Sequence, residues 1–233
     1  MDQRQPEAPE AAAFDAFLGC LVHDLRGPVS AVRDLSDWLH ADLVALGLPL
    51  PAETRRMLTL IAPEAARAGA ILQGLADFLA AGHPAPRGDV VPAAALGSVL
   101  DAHPGEIAGL ATRGLRRTVR VAAEDLFGIL EIAIGNAVKF HPNGHPRLWV
   151  SARHGRGSAW HLRIDDDGPG IPPDRRSAVF APFVRAPVGE AAPGAGLGLA
   201  TLARIVARYD GRATVTTSQV GGGVSLRLTL RGV

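Results

Sequence analysis

Apolar residues recur at spacings of three and four from Phe14 through Leu18, Leu21, Leu25, Val29, Val32, Leu35, Leu39, Leu43 and Leu46. That period lays a stripe along one helix, roughly 50 Å long at ~1.5 Å per residue. The segment GLPLP at 47–51 breaks it, because glycine and two prolines cannot continue a helix. A second stripe follows at Leu58, Ile61, Ala65, Ala68, Ile71, Leu75 and Phe78, and Gly82-His83-Pro84 ends it. The short loop predicts an antiparallel α-helical hairpin over 14–82. A lone helix pair buries its stripes poorly, so the pattern predicts a homodimer in which two hairpins form a four-helix bundle. A monomer with a second domain packed on the hairpin is the alternative.

After HPAPRGDVVP at 83–92, which reads as a linker, the pattern changes to mixed α and β. Helices are expected at 93–101, 124–140 and 197–209. Alternating or β-branched runs predict strands at 115–121, 147–154, 159–166, 212–218 and 224–230. Glycine clusters at 168–170, 194–198 and 221–223 punctuate this half, and there is no internal repeat. The organisation expected is a disordered tail over 1–13, the hairpin over 14–82, the linker over 83–92 and an α/β domain over 93–233.

Composition narrows the function classes. Hydrophobic residues make up 47% of the 233, but no apolar run is long enough to insert in a membrane. The N-terminus MDQRQPEAPEAAA lacks a signal pattern, so a cytoplasmic protein is expected. A net charge of +1, with no domain read as markedly basic, gives no electrostatic case for nucleic acid. The single cysteine excludes an intrachain disulfide. Cys20 falls on the apolar side of the first helix and reads as a small core residue rather than a redox sensor.

Several segments carry candidate chemistry. Asp165-Asp166-Asp167-Gly168-Pro169-Gly170 follows the strand WHLRI. A carboxylate at a strand end can accept a hydrogen bond from an exocyclic amine while flexible glycines let backbone pass close to a ligand. Gly194-Ala195-Gly196-Leu197-Gly198-Leu199 opens a helix, and a glycine-rich helix start presents free N–H groups to phosphate. On the 124–140 helix, Asn136 and Lys139 stand three apart on one face, supplying a neutral oxygen for Mg²⁺ and a cation for phosphate. His23 is followed by Asp24, which can orient the imidazole or accept its proton, and Pro28 removes a helical hydrogen bond nearby. His141-Pro-Asn-Gly-His145 has no clustered carboxylate or thiol and reads as an ordinary loop.

Taken in order, Asn136-Ala-x-Lys139, the Asp166-x-Gly-x-Gly turn, Phe180-x-Pro-Phe183 and Gly194-x-Gly-Leu-Gly-Leu resemble the N, G1, F and G2 boxes of the histidine-kinase ATP-binding domain. His23-Asp24-Leu25-Arg26-Gly27-Pro28 resembles the phosphoacceptor H box of the dimerisation and histidine-phosphotransfer domain, in the variant found beside bacterial phytochrome sensors. The likeness spans about 14–231. It implies an α/β sandwich of Bergerat type, as in histidine kinases, gyrase and chaperones. It further implies ATP and Mg²⁺ as cofactors, a response-regulator receiver domain as partner, and autophosphorylation at His23 with Asp24 assisting. Asp166 then binds the adenine amino group, Gly168 and Gly170 allow close approach, and Asn136 holds Mg²⁺ with Lys139 adding charge. Gly194, Gly196, Leu197 and Gly198 cover the triphosphate, Phe180 and Phe183 anchor the lid by packing, and Arg185 neutralises the γ-phosphate.

Three positions depart from the pattern. Gly27 stands where kinases that also dephosphorylate their partner carry Thr or Asn, so weak phosphatase activity is expected. Ile132, four before Asn136, occupies the place of a second Asn, or of the catalytic Glu of related ATPases. Ala195 replaces the common lid Thr. These changes sustain an alternative, a phosphotransfer protein that relays phosphate between regulators with a degenerate ATP domain. An anti-sigma type serine kinase would share the nucleotide boxes but not need His23. Thirteen residues before the hairpin cannot fold as an input domain, so the signal is expected from a missing domain or a separate sensor protein.

Overall fold

The computed structural model describes residues 8–47, 50–184 and 194–233, and the chain falls into two compact units, Met1–Leu79 with Pro193–Ala195, and Ala80–Ala192 with Gly196–Val233. Helices α1 (Ala8–Ala45) and α2 (Ala52–Ala80) form the first. Helix α1 starts ahead of Phe14, inside the stretch expected as a tail, and it continues through Pro28. Proline has no N–H to give the carbonyl four residues back, so Asp24 keeps a carbonyl without its helical donor.

The hairpin seam is narrower than the sequence stripe. Val22 and Ser36 are buried and Val29 and Leu43 half-buried, seven residues apart, and on α2 Ala65 and Leu79 are buried. Arg26 of α1 donates to the Gln73 side chain of α2 at 3.2 Å. Phe14, Leu21, Leu25, Val32, Leu35 and Leu39 remain exposed. Cys20 is exposed too, which corrects its reading as a core residue: it lies off the seam that α2 covers.

The second unit builds a five-stranded sheet in the order β2-β4-β5-β7-β6. Its strands are β2 (Gly109–Arg113), β4 (Arg147–His154), β5 (Trp160–Asp166), β6 (Arg212–Thr217) and β7 (Val224–Leu230). Only the β2–β4 pair is parallel. A small sheet pairs β1 (Gly88–Val90) with β3 (Val119–Val121). Strand β1 therefore places part of the expected linker inside this unit, and the strand expected over 115–121 is confined to its last three residues. Helices α3 (Pro92–Asp101), α4 (Ala123–Phe140) and α5 (Gly198–Ala207) complete it.

Alternation along the strands decides what faces the core. Leu148, Val150 and Ala152 of β4, Trp160, Leu162 and Ile164 of β5, and Leu226, Leu228 and Leu230 of β7 are all buried in one cluster. Helix α4 meets them with Leu126, Ile129, Leu130, Ala133, Ile134 and Ala137, a three-four spacing that covers one helix face.

A buried polar junction ties the ends of α4 and α5 together. Asp125 accepts hydrogen bonds from Arg208 and, at 2.6 Å, from the Tyr209 hydroxyl, which in turn accepts from the Ala122 N–H at 2.9 Å. Arg208 also donates to the carbonyls of Ala81 and His83, and Arg87 stacks over the Tyr209 ring at 4.4 Å. Burial, then the Asp125 hydrogen bond, pushes the Tyr209 phenol above its ordinary value.

Candidate functional site

Period two also sorts the three consecutive acids at the end of β5. Asp165 points away from the helices, is buried, and pairs with Arg163 at 2.7 and 2.8 Å. Asp166 points to the helix side. Its Oδ1 accepts from the backbone N–H of Gly168 and of Val224, both at 2.9 Å. Oδ2 has no donor among the described residues, so a fixed, half-buried acceptor remains. Burial raises the Asp166 carboxyl above its ordinary value, the two N–H bonds pull it back, and Asp167 and Asp165 raise it further. Asp167 accepts from the Arg147 N–H at 2.8 Å and stands 3.5 Å from the His141 ring.

The run Gly221-Gly222-Gly223, noted in the sequence only as punctuation, is part of this site. A Cβ on Gly221 would strike the Asp166 carbonyl, and one on Gly223 would strike both the Asp166 carboxylate and the Gly168 N–H. The Gly223 N–H donates to the Asp166 carbonyl at 3.2 Å. These glycines let the start of β7 close round Asp166. Gly170 of the G1 turn has φ +77°, a conformation that L side chains rarely adopt.

Asn136 is half-buried on α4 and Lys139 is exposed one turn on, its Nζ 4.9 Å from the Phe140 ring centre. Opposite stands the start of α5. A Cβ on Gly198 would lie 3.4 Å from Ile132 and 3.8 Å from the Asn136 amide, so the G2 helix start and the N box meet there. Leu197, the N-cap residue, is buried and makes no side-chain cap, and no acid occupies the first turn. Thr201 spends both its N–H and its hydroxyl on the Leu197 carbonyl, at 2.8 and 2.9 Å. Among the described residues, the first N–H groups of α5 thus have no side-chain cap. Gly194 and Gly196 precede them at φ 136° and 72°.

Of the two residues expected to anchor a lid by packing, Phe180 packs against the core, whereas Phe183 is 61% exposed at φ +64° and donates its backbone N–H to the Gly196 carbonyl at 3.0 Å. Arg185 lies outside the described residues. Glu131 is turned away from Asn136 and binds His103 at 3.1 Å, while the other ring nitrogen of His103 meets Glu106 at 2.6 Å. Among the described residues no cluster of three His, Cys, Asp or Glu side chains is arranged to hold a metal.

The His103 clamp makes a pH prediction. Burial lowers the ring's affinity for a proton, but Glu106 and Glu131 together outweigh it and hold the pKa above the ordinary value. A raised folded-state pKa gives stability that is complete below ~6.5 and lost as pH rises through the folded value. His103→Gln should therefore lower the thermal midpoint in mildly acidic buffer and leave it unchanged in alkaline buffer. A midpoint shift of equal size at both ends would remove the clamp from the account.

In unit one, His23 is almost fully exposed, with Nδ1 3.2 Å from Asp24 Oδ1. An Nδ1–H held by a carboxylate leaves the lone pair on Nε2, facing outward. A Cβ on Gly27 would meet open space.

Comparison with known proteins agrees with this geometry. Residues 122–232 match the family of histidine kinase-, DNA gyrase B- and HSP90-like ATPases. Over those residues the chain carries an ATPase module of this family, preceded in the sequence by a helical hairpin. The chain is 28% identical over 243 residues to the aerobic respiration control sensor protein ArcB of Escherichia coli K12, covering 98% of this chain and 30% of ArcB. It is 37% identical over 102 residues to the histidine-protein kinase/phosphatase MprB of Mycobacterium avium, covering 42% of this chain and 19% of that one. Full-length ShkA, solved in complex with AMPPNP, superposes with a TM-score of 0.68 at 25% identity over 92% of this chain and 45% of ShkA. A mycobacterial MprB structure gives 0.53 at 26% identity over 62% of this chain and 96% of that one. These comparisons support a histidine-kinase catalytic core: residues 122–232 carry the ATPase module, and the chain as a whole is similar to sensor histidine kinases. It spans about a third of the length of the relative it matches end to end. No helix among the described residues is long and apolar enough to cross a membrane.

Proposed function

We propose that this core transfers the γ-phosphoryl group of ATP to His23 and then to an aspartate of a response-regulator receiver domain. The observation that carries the reading is that one unit holds both the prepared Asp166 acceptor and the meeting of the Asn136 helix with the uncapped start of α5. Asp166 would accept from the adenine amino group, with Gly168 and Gly170 against the base. The α5 N–H groups, Gly194, Gly196 and Leu197 would receive the phosphates, with Lys139 and Arg185 adding charge. The Asn136 amide oxygen fits a hard cation, and Mg²⁺ bound there would neutralise phosphate charge. Ile132 beside it adds no ligand.

His23 Nε2 attacks the γ-phosphorus, the bond to the β-phosphate oxygen breaks, and ADP leaves with that electron pair. Asp24 takes the Nδ1 proton as the ring gains charge. In the onward step the receiver carboxylate attacks the phosphorus, the bond to Nε2 breaks with its electron pair left on that nitrogen, and Asp24 returns the proton to Nδ1, restoring the neutral imidazole. Gly27 has no side chain to place a hydrolytic water, so phosphatase activity should be weak.

The exposed row along α1 supports a homodimer through the hairpin. Val32→Glu with Leu35→Glu should convert a dimer to a monomer in sedimentation analysis. An unchanged mass, or a wild type that is already monomeric, would remove this interface.

The direct test is labelling with γ-³²P ATP and Mg²⁺ of the wild type, His23→Ala and Asp166→Ala. Acid-labile, base-stable label in the wild type only is the expected result. No label in the wild type, with phosphate uptake from a phosphorylated regulator, would overturn it in favour of a phosphotransfer protein.

A further inference from the structure

The five-stranded sheet packs its helices on one side, and its other side carries a charge pattern that nucleotide chemistry does not use. Register places Arg113, Ser151, Arg163, Arg227 and Thr214 in one row across all five strands. The neighbouring row holds Arg153, His161, Thr229 and Arg212. At ~4.8 Å between strands the first row runs roughly 19 Å. Arg163 and Arg227 sit directly opposite each other, an arrangement that costs stability. The acid beside them, Asp165, is 3% exposed and committed to Arg163. Arg113, Arg153, Arg212 and Arg227 are exposed, and none pairs with a carboxylate among the described residues. The field is felt by His161, whose pKa is lowered by burial and then by Arg153.

The small net charge conceals this segregation. Residues 1–79 carry eleven acids against six arginines, whereas residues 80–233 carry eighteen basic residues against twelve acids. The second unit thus carries an excess of basic residues, although no domain reads as markedly basic by composition, and part of that excess is concentrated on one sheet face.

We propose that this open sheet face is a docking surface for the acidic contact surface of a second protein. Guanidinium forks grip carboxylates in pairs, and the hydroxyls of Ser151, Thr214 and Thr229 supply donors and acceptors between them. A flat sheet offers no helix or ribbon to enter a nucleic-acid groove, and Asp165 among the arginines weakens the field that a phosphate backbone needs. Arg163 is held by buried Asp165, but Arg153, Arg212 and Arg227 form no ion pair among the described residues that would hold the fold together.

The test uses the full chain, a fluorescent Asp/Glu-rich peptide and a single-stranded oligonucleotide of equal charge. Arg153→Ser/Arg212→Thr/Arg227→Thr should bind the peptide at least about tenfold more weakly than wild type, at an affinity that falls with salt. Arg116→Ser/Arg117→Ser/Arg120→Ser, which removes the same charge elsewhere in the unit, should bind like wild type. The thermal midpoint of the first variant should equal or exceed that of wild type. Equal losses in both variants, no peptide binding by wild type, or a lowered midpoint in the first variant would each overturn the proposal. Tighter binding of the oligonucleotide than of the peptide would do the same and assign the face to nucleic acid.

Discussion

Gly223→Ala will lose nucleotide affinity as severely as Asp166→Ala, and calorimetric titration with ATP should read both as a fall of about a hundredfold, the order set by a hydrogen bond to a charged group. The reason is geometric. The methyl group would occupy the space of the Asp166 carboxylate, the Gly168 N–H and the Asp166 carbonyl together. Backbone cannot yield there without breaking the bonds from Gly168 and Val224 that fix Oδ1. Gly135→Ala is the matching control, because its Cβ meets open space on α4 and alanine favours the helix by about 1 kcal/mol. Wild-type affinity in Gly223→Ala would show that the start of β7 does not shape the proposed nucleotide site at Asp166.

Asp125→Ala should be the most destabilising single change in the second unit. It leaves the Arg208 guanidinium, 15% exposed, without its carboxylate and the Tyr209 hydroxyl without its acceptor. Breaking a buried pair from one side costs about 3–5 kcal/mol. Tyr209→Phe keeps the ion pair and should cost only about 1–2 kcal/mol, through the Asp125 and Ala122 hydrogen bonds it removes. Denaturant unfolding followed by far-UV circular dichroism separates the two. A loss below about 1 kcal/mol in Asp125→Ala would mean that water or neighbouring carbonyls satisfy Arg208.

Long periodic elements were legible because their burial repeats: α1, α2, α4 and the alternating strands β4, β5 and β7 all lie where spacing predicts. Strands β1 and β2 were not. Gly88–Val90 is three residues long, and Gly109–Arg113 is a sheet edge with four exposed positions, so neither carries a burial pattern. The nucleotide boxes were readable as local strings. The partnership of Gly221–Gly223 with Asp166 was not, because it joins segments more than fifty residues apart through a backbone contact that has no side-chain signature. Cys20 was misread for a related reason: the α1 stripe is wider than the seam one partner helix covers, and position within it does not say which row is buried.

Lys139, exposed beside Asn136 on α4, has a practical consequence. Every other cationic side chain with a fixed charge in this protein is an arginine, so Lys139 is its only side-chain amine. Reagents that acylate or reductively methylate amines would modify one side chain, next to the N box. An isotope-labelled methyl group placed there would give a magnetic-resonance reporter on nucleotide arrival, set apart from the α-amino terminus by its shift, with no residue substituted.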